Sequence, residues 1–153
     1  YVNQFDATLA NWYGAQPGTC VYAETCGGNS VIEHNGDLYP CDHFVYPKYL
    51  LGNITSKSIS EMMASDLQVK FGIDKRNSLP SKCRRCEWLF ACHGECPKHR
   101  FSCTEAGETG LNALCAGYKI YYSHVSPYMD FMKDLLNEEK APAGVIPWAR
   151  MRK

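Results

Sequence analysis

The sequence lacks net charge, long apolar runs and an export leader. Its 153 residues carry 16 Lys and Arg against 16 Asp and Glu, so no broad field of one sign is available to draw in nucleic acid or an anionic membrane surface. No apolar stretch approaches the roughly 20 residues that span a bilayer. The N-terminus has no basic start followed by an apolar run and a small-residue cleavage site. These absences predict no nucleic-acid partner, no membrane association and a cytoplasmic location. Neither an internal repeat nor a low-complexity segment is present. Hydrophobic residues at 45% and charged residues at 21% match ordinary globular usage, which argues against disorder and leaves room for one modest packed domain.

Cysteine is what the chain has in excess. Nine cysteines are about three times the usual number for an intracellular chain of this length. An odd count without an export signal fits poorly with a closed disulfide framework, so metal or iron–sulfur ligation leads. The chain starts at Tyr1 within amphipathic sequence and reads as a piece of something longer.

Phe5, Leu9, Trp12 and Tyr13 recur at helical spacing before Gly14 and Pro17-Gly18, predicting a short N-terminal helix over residues 3–13. Val31-Ile32 and Leu38-Tyr39 flank His34-Asn35-Gly36-Asp37, and Asn-Gly is the strongest short hairpin signal. Ser58 and Glu61 form a capping box ahead of a stripe of Ile59, Met62, Met63, Leu67 and Phe71, predicting one helix that ends at Gly72. Residues 73–110 show little periodicity. Leu111 to Val125 read as a helix, and Ser126-Pro127 reads as the start of another through Leu136. The tail from Ala141 to Lys153 reads as an irregular strap anchored by Trp148.

Within the aperiodic stretch, Cys83-x2-Cys86-x5-Cys92-x3-Cys96 places four thiols in fourteen residues. That density suits soft metal centres whose ligands converge from short loops. Cys20, Cys26 and Cys41 lie upstream, Cys103 and Cys115 downstream. Nine thiols can complete two four-cysteine sites with one left over, but spacing alone does not apportion them. Residues 82–100 hold five cations, Lys82, Arg84, Arg85, Lys98 and Arg100, against Glu87 and Glu95. Such cations suit an anionic centre and equally suit a solvated face. Gly27-Gly28 and Gly94 either bring backbone amides close to sulfur or only make turns. The five histidines read as ordinary loop or surface residues, and Tyr118, Tyr121, Tyr122 and Tyr128 as helix core and surface.

Cys26-x9-Gly36-x4-Cys41, then the Cys83 to Cys96 run, then Cys115 resemble the seven-cysteine signature of the SPASM domain, the C-terminal extension of peptide-modifying radical SAM enzymes. Cys20, six residues before Cys26, with Pro17-Gly18-Thr19-Cys20, Cys26-Gly27-Gly28-Asn29-Ser30 and Tyr39-Pro40-Cys41-Asp42-His43-Phe44, is similar to the anaerobic sulfatase-maturating branch of that family. The resemblance covers roughly residues 1–140.

The resemblance implies a small, irregular α+β fold with a β-hairpin, flanking helices and cysteine-rich loops. Residues 1–18 would be a helix and linker from a missing barrel, 19–125 the SPASM region, and 126–153 a C-terminal helix and tail. It implies two auxiliary 4Fe–4S clusters, one held by Cys20, Cys26, Cys41 and Cys96 and the other by Cys83, Cys86, Cys92 and Cys115, with Cys103 matching no ligand position. Asp42, beside ligand Cys41, would be the general base, its pKa raised by the anionic cluster. In the reaction implied, a 5′-deoxyadenosyl radical takes hydrogen from the β-carbon of a Cys or Ser in a sulfatase, Asp42 accepts the side-chain proton, an electron leaves, and formylglycine results. Expected partners are the sulfatase polypeptide and an electron-transfer partner, with the protein itself a monomer. S-adenosylmethionine and a third 4Fe–4S cluster would sit in the missing barrel, because no Cys-x3-Cys-x2-Cys occurs here; the fragment alone should be inactive. Two rival readings are a SPASM region acting on another peptide and a non-catalytic zinc-binding interaction module, and aerobic preparation could leave zinc in place of clusters.

Overall fold

A computed structural model describes residues 2–152; Tyr1 and Lys153, the last residue of the expected tail, lie outside them. Helix α1 spans Asn3–Tyr13 and ends where Gly14 turns left-handed, as its spacing predicts. The hairpin follows: β1 (Val31–Ile32) and β2 (Asp37–Tyr39) pair antiparallel with Ile32 opposite Leu38. The reversal spans four residues, closed by the Gly36 amide donating to the Glu33 carbonyl at 2.8 Å. A third strand that the sequence did not reveal, β3 (Gly52–Asn53), pairs with β2.

The expected helix over 59–71 is two. Helix α2 (Ile59–Met63) carries the predicted capping box, and α3 (Asp66–Asn77) starts afresh because the Ser65 hydroxyl accepts from the Gln68 amide at 3.3 Å. Gly72 does not end α3. It lies inside the helix because a Cβ there would stand 2.7 Å from the Cys26 carbonyl oxygen, and the Cys26 amide donates to the Gly72 carbonyl at 3.1 Å. The stretch read as aperiodic contains two one-turn helices, α4 (Ser81–Arg84) and α5 (Leu89–Cys92), and a hairpin of β4 (Ser102–Cys103) with β5 (Thr109–Leu111).

Leu111 therefore belongs to a strand, not to the start of a helix. Helix α6 begins at Cys115 and runs to Asn137 without a break, so Ser126-Pro127 does not open a second helix. Pro127 cannot donate to the Ser123 carbonyl four residues back; the Ser126 hydroxyl donates to it instead, at 3.4 Å. Packing on both flanks keeps the helix intact across the gap. The tail is more regular than expected, forming α7 (Val145–Met151). Trp148 does anchor it, stacked on Phe131 at 4.5 Å between ring centroids.

Three small cores hold these pieces. Trp12, Ala91, Tyr122, Val125 and Met129 join α1 and α5 to α6, pinned by the Trp12 indole N–H donating to Asp130 at 2.8 Å. Leu38, Leu51 and Met62 lie between the sheet and α2. Leu79, Cys83 and Leu111 form the third, with Cys115 at its edge. Among the described residues no helix is long and apolar enough to cross a membrane.

Candidate metal centre

The cysteines reach their places from separate elements. Cys20 opens a 3-10 turn after α1, Cys26 lies against α3, Cys41 follows β2 after Pro40, and Cys96 precedes the 3-10 turn Pro97–His99. Cys83 sits in α4, Cys86 follows it, Cys92 ends α5 and Cys115 starts α6. All nine thiols are free.

Two groups emerge. Cys83, Cys86, Cys92 and Cys115 line one pocket, walled by Trp88, Leu89, Leu111, Tyr118 and Tyr122, with Lys82 and Lys119 also on its lining. Burial pushes the Cys92 thiol up to about 11, and the charges of Cys83, Cys115 and Cys86 add to that rise. In the second group, burial raises Cys26 and Cys96, and both also feel Cys20. Cys41 is pushed up to about 11, again first by burial, with Cys20 among the contributors. Without metal these thiols keep their protons at neutral pH, so a metal centre must displace them. Cys103 joins neither group and lies exposed on β4.

Backbone amides approach several of the sulfurs. Those of His43, Gly94 and Lys98 donate toward Cys41, Cys92 and Cys96 and oppose the rise of each thiol. For Gly94, then, both readings of the sequence hold at once: the amide meets sulfur and the residue makes a turn. His93, Gly94 and Glu95 take φ of 47°, 70° and 60°, and this left-handed run carries the chain from Cys92 to Cys96. A Cβ at Gly94 would overlap Leu79 and come within 2.9 Å of the Arg100 guanidinium.

Asp42 is exposed, its Oδ1 accepting from the Cys41 thiol at 3.3 Å and from the His43 amide at 2.9 Å. The upward shift expected beside an anionic cluster belongs to the loaded site; in the metal-free chain the shift runs the other way. The Cys41 thiol, aided by His43, holds this carboxyl below its ordinary value, since a hydrogen bond to the ionised form favours it. His34, His43, His99 and His124 are exposed and His93 is half-buried, but His99 has a specific partner: its Nδ1 lies 2.7 Å from the buried carboxylate of Glu95, which also accepts from Asn112 at 2.7 Å.

Two buried side chains beside the thiols carried no periodic signal. The Lys75 ammonium, on α3, ties down the carbonyls of the Cys20 turn, and Arg100 ties down those of the left-handed run. Arg100 was countable among the loop cations, but Lys75 stands more than 50 residues from its partners, where no local pattern reaches.

The donors fit a soft, multi-iron centre. Each group offers sulfur alone, the ligand set of Fe–S clusters and of structural zinc. A tetrahedral zinc with bonds of about 2.3 Å needs sulfurs about 3.8 Å apart. Among the described residues, the three ligating side chains whose donor atoms all lie within 4.8 Å are Cys41, Asp42 and His43; no three thiols of either group come that close.

Residues 20–87 match the SPASM family, described as an iron–sulfur cluster-binding domain. The chain is 56% identical over 146 residues to the serine-type anaerobic sulfatase-maturating enzyme of Bacteroides thetaiotaomicron, covering 95% of this chain and 35% of that protein. It is 29% identical over 126 residues to the cysteine-type enzyme of Clostridium perfringens, covering 82% and 34%. Among solved structures it matches histidine-tagged anSMEcpe with bound AdoMet at a TM-score of 0.73 and 26% identity, over 95% of this chain and 37% of the other. Native anSMEcpe with bound AdoMet and Cp18Cys peptide matches at 0.70 and 26% identity, over 87% and 36%. The chain spans about a third of the length of the curated relatives it matches. Sequence and fold agree: this chain is a homologue of the SPASM region of the anaerobic sulfatase-maturating enzymes, and its residues 20–87 match the iron–sulfur cluster-binding domain of that family.

Proposed function

We propose that the chain is the auxiliary-cluster region of a radical SAM oxidoreductase that converts a cysteine or serine of a sulfatase polypeptide to formylglycine. Cys20, Cys26, Cys41 and Cys96 would hold one 4Fe–4S cluster, and Cys83, Cys86, Cys92 and Cys115 the other. The observation that carries this reading is that Cys83, Cys86, Cys92 and Cys115, drawn from separate elements, line one pocket in a chain whose residues 20–87 match an iron–sulfur cluster-binding family. Clusters so held supply one-electron transfer when bound. The chain contributes soft thiolates and backbone amides aimed at sulfur, while the aromatic wall of Trp88, Tyr118 and Tyr122 limits water at one group.

Asp42 would serve as general base. It is exposed, as a residue that meets a polypeptide must be, and an ionised carboxylate at this position can accept a proton from the target side chain. S-adenosylmethionine and a third 4Fe–4S cluster would lie in sequence outside these residues, so the 153-residue chain by itself should not act on substrate. The peptide bound in one relative's structure supports a polypeptide substrate. An electron-transfer partner, a monomeric state and a cytoplasmic setting complete the reading, with no nucleic-acid or membrane role.

Anaerobic reconstitution with iron and sulfide tests it. The expected product is brown protein with about eight iron and eight sulfide per chain. Colourless protein that takes up only stoichiometric zinc under the same conditions would return the chain to the zinc-module reading.

A further inference from the structure

Lys75 and Arg100 are both charged and both buried, with 1% and 9% of their surface exposed. The Lys75 Nζ donates to the carbonyls of Cys20 at 2.6 Å, Val21 at 3.0 Å and Ala23 at 2.5 Å. Three acceptors need three N–H donors, which only the protonated ammonium has. Arg100 spends its donors in the same way: Nε on Gly94 at 2.8 Å, Nη1 on Lys75 at 2.6 Å, Nη2 on His93 at 2.9 Å and Glu95 at 3.0 Å, all backbone carbonyls.

Those acceptors are neutral. Neither cation forms an ion pair with a carboxylate among the described residues, and buried Glu95 is engaged by His99 and Asn112 instead. An uncompensated buried cation is strongly destabilising, so its counter-charge must come from elsewhere. Both cations end on the ligand-bearing loops: Lys75 holds the carbonyl of Cys20 itself, and Arg100 holds all three carbonyls between Cys92 of one group and Cys96 of the other.

We propose that Lys75 and Arg100 are the fixed counter-charges of the two iron–sulfur sites, Lys75 acting on the Cys20 group and Arg100, placed between the groups, acting on both. This rests on the cluster reading above. On reduction a cluster gains one electron and one unit of negative charge, with no bond made or broken. A nearby fixed cation favours that reduced form and raises the midpoint potential. Both residues are positioning residues, since their hydrogen bonds also hold the ligand-bearing loops.

The test is an EPR-monitored redox titration of the whole chain, reconstituted anaerobically, with iron and sulfide quantified in every sample. Cys115→Ser and Cys41→Ser backgrounds, each retaining one cluster, assign the two midpoints. Lys75→Gln should shift the one-electron equilibrium of the Cys20-group cluster toward oxidised by about tenfold, or ~59 mV, and shift the other far less. Arg100→Gln should lower both midpoints. Arg100→Lys keeps the charge while losing the planar fork, and should stay closer to the parent chain than Arg100→Gln does. Unmoved midpoints in iron-loaded variants overturn the proposal, and so does an Arg100→Lys shift as large as that of Arg100→Gln. If even the charge-preserving Arg100→Lys and Lys75→Arg take up no iron, hydrogen bonding rather than charge is what the sites require, and the proposal fails. A parent chain without iron sinks the cluster reading and this proposal together, whereas a loaded parent chain with insensitive midpoints sinks this proposal alone.

Discussion

Cys92 and Cys96 are separated by three residues and face different thiol groups. Cys92 shares a pocket with Cys83, Cys86 and Cys115, while Cys96 neighbours Cys20 and Cys26. The left-handed run between them makes the parting, and Arg100 fastens all three of its carbonyls.

Single substitutions at these two cysteines should therefore remove different clusters. Cys92→Ser and Cys96→Ser are each expected to leave about four of eight irons, and the double variant close to none. Iron and sulfide analysis reads the content, and EPR of the reduced proteins should give two distinct signals. Identical residual signals would mean that the two cysteines serve one site.

Gly94→Ala should be disproportionately damaging for so small a change. It adds left-handed strain, about 1 kcal/mol or more, to an overlap with Leu79 and Arg100, for a total of about 2–4 kcal/mol. Urea melts of the reconstituted chain would show it. A midpoint equal to the parent's would mean that the loop relaxes freely.

Asp42→Asn should keep full iron content, because its side chain is exposed and an amide oxygen there can still accept from the His43 amide. In the full-length protein, formylglycine production from a sulfatase peptide should fall by about 10²–10⁴, followed by mass spectrometry. Undiminished turnover with intact clusters would remove Asp42 from the role of base.

Pro127→Ala should stabilise the chain. It restores an N–H for the Ser123 carbonyl, which the Ser126 hydroxyl reaches only at 3.4 Å, and relieves part of the roughly 3 kcal/mol that an interior proline costs a helix. The added freedom of the unfolded chain takes some of this back, leaving about 1–2 kcal/mol, measurable as a higher urea midpoint.

The chemistry of the chain was more legible than its packing. Thiol spacing announced soft metal centres, and the hairpin, the Ser58–Glu61 cap and the N-terminal helix followed from local rules. The division of Cys92 from Cys96 came only through resemblance, because it depends on a loop reversal that spacing does not encode. Gly72, a local stop signal, and Pro127, a local start signal, misled for one shared reason: each is overruled by a neighbour, the Cys26 backbone in one case and the α6 packing with Ser126 in the other. Lys75 was invisible, since its partners lie across the fold.

The interleaving of the two thiol groups also dictates an order of events during synthesis. The group containing Cys20 cannot be complete until Cys96 has been made, and by then Cys83, Cys86 and Cys92 already stand beside it, lacking only Cys115 nineteen residues further on. At about 5–20 residues per second this interval lasts about 1–4 s. Throughout it, seven of the eight thiols are present with one quartet unfinished, so iron delivered early meets mismatched sets of donors. On the proposed ligand sets, metal insertion would belong after residue 115 has emerged, and any truncation short of that point would leave three thiols of one group without their fourth.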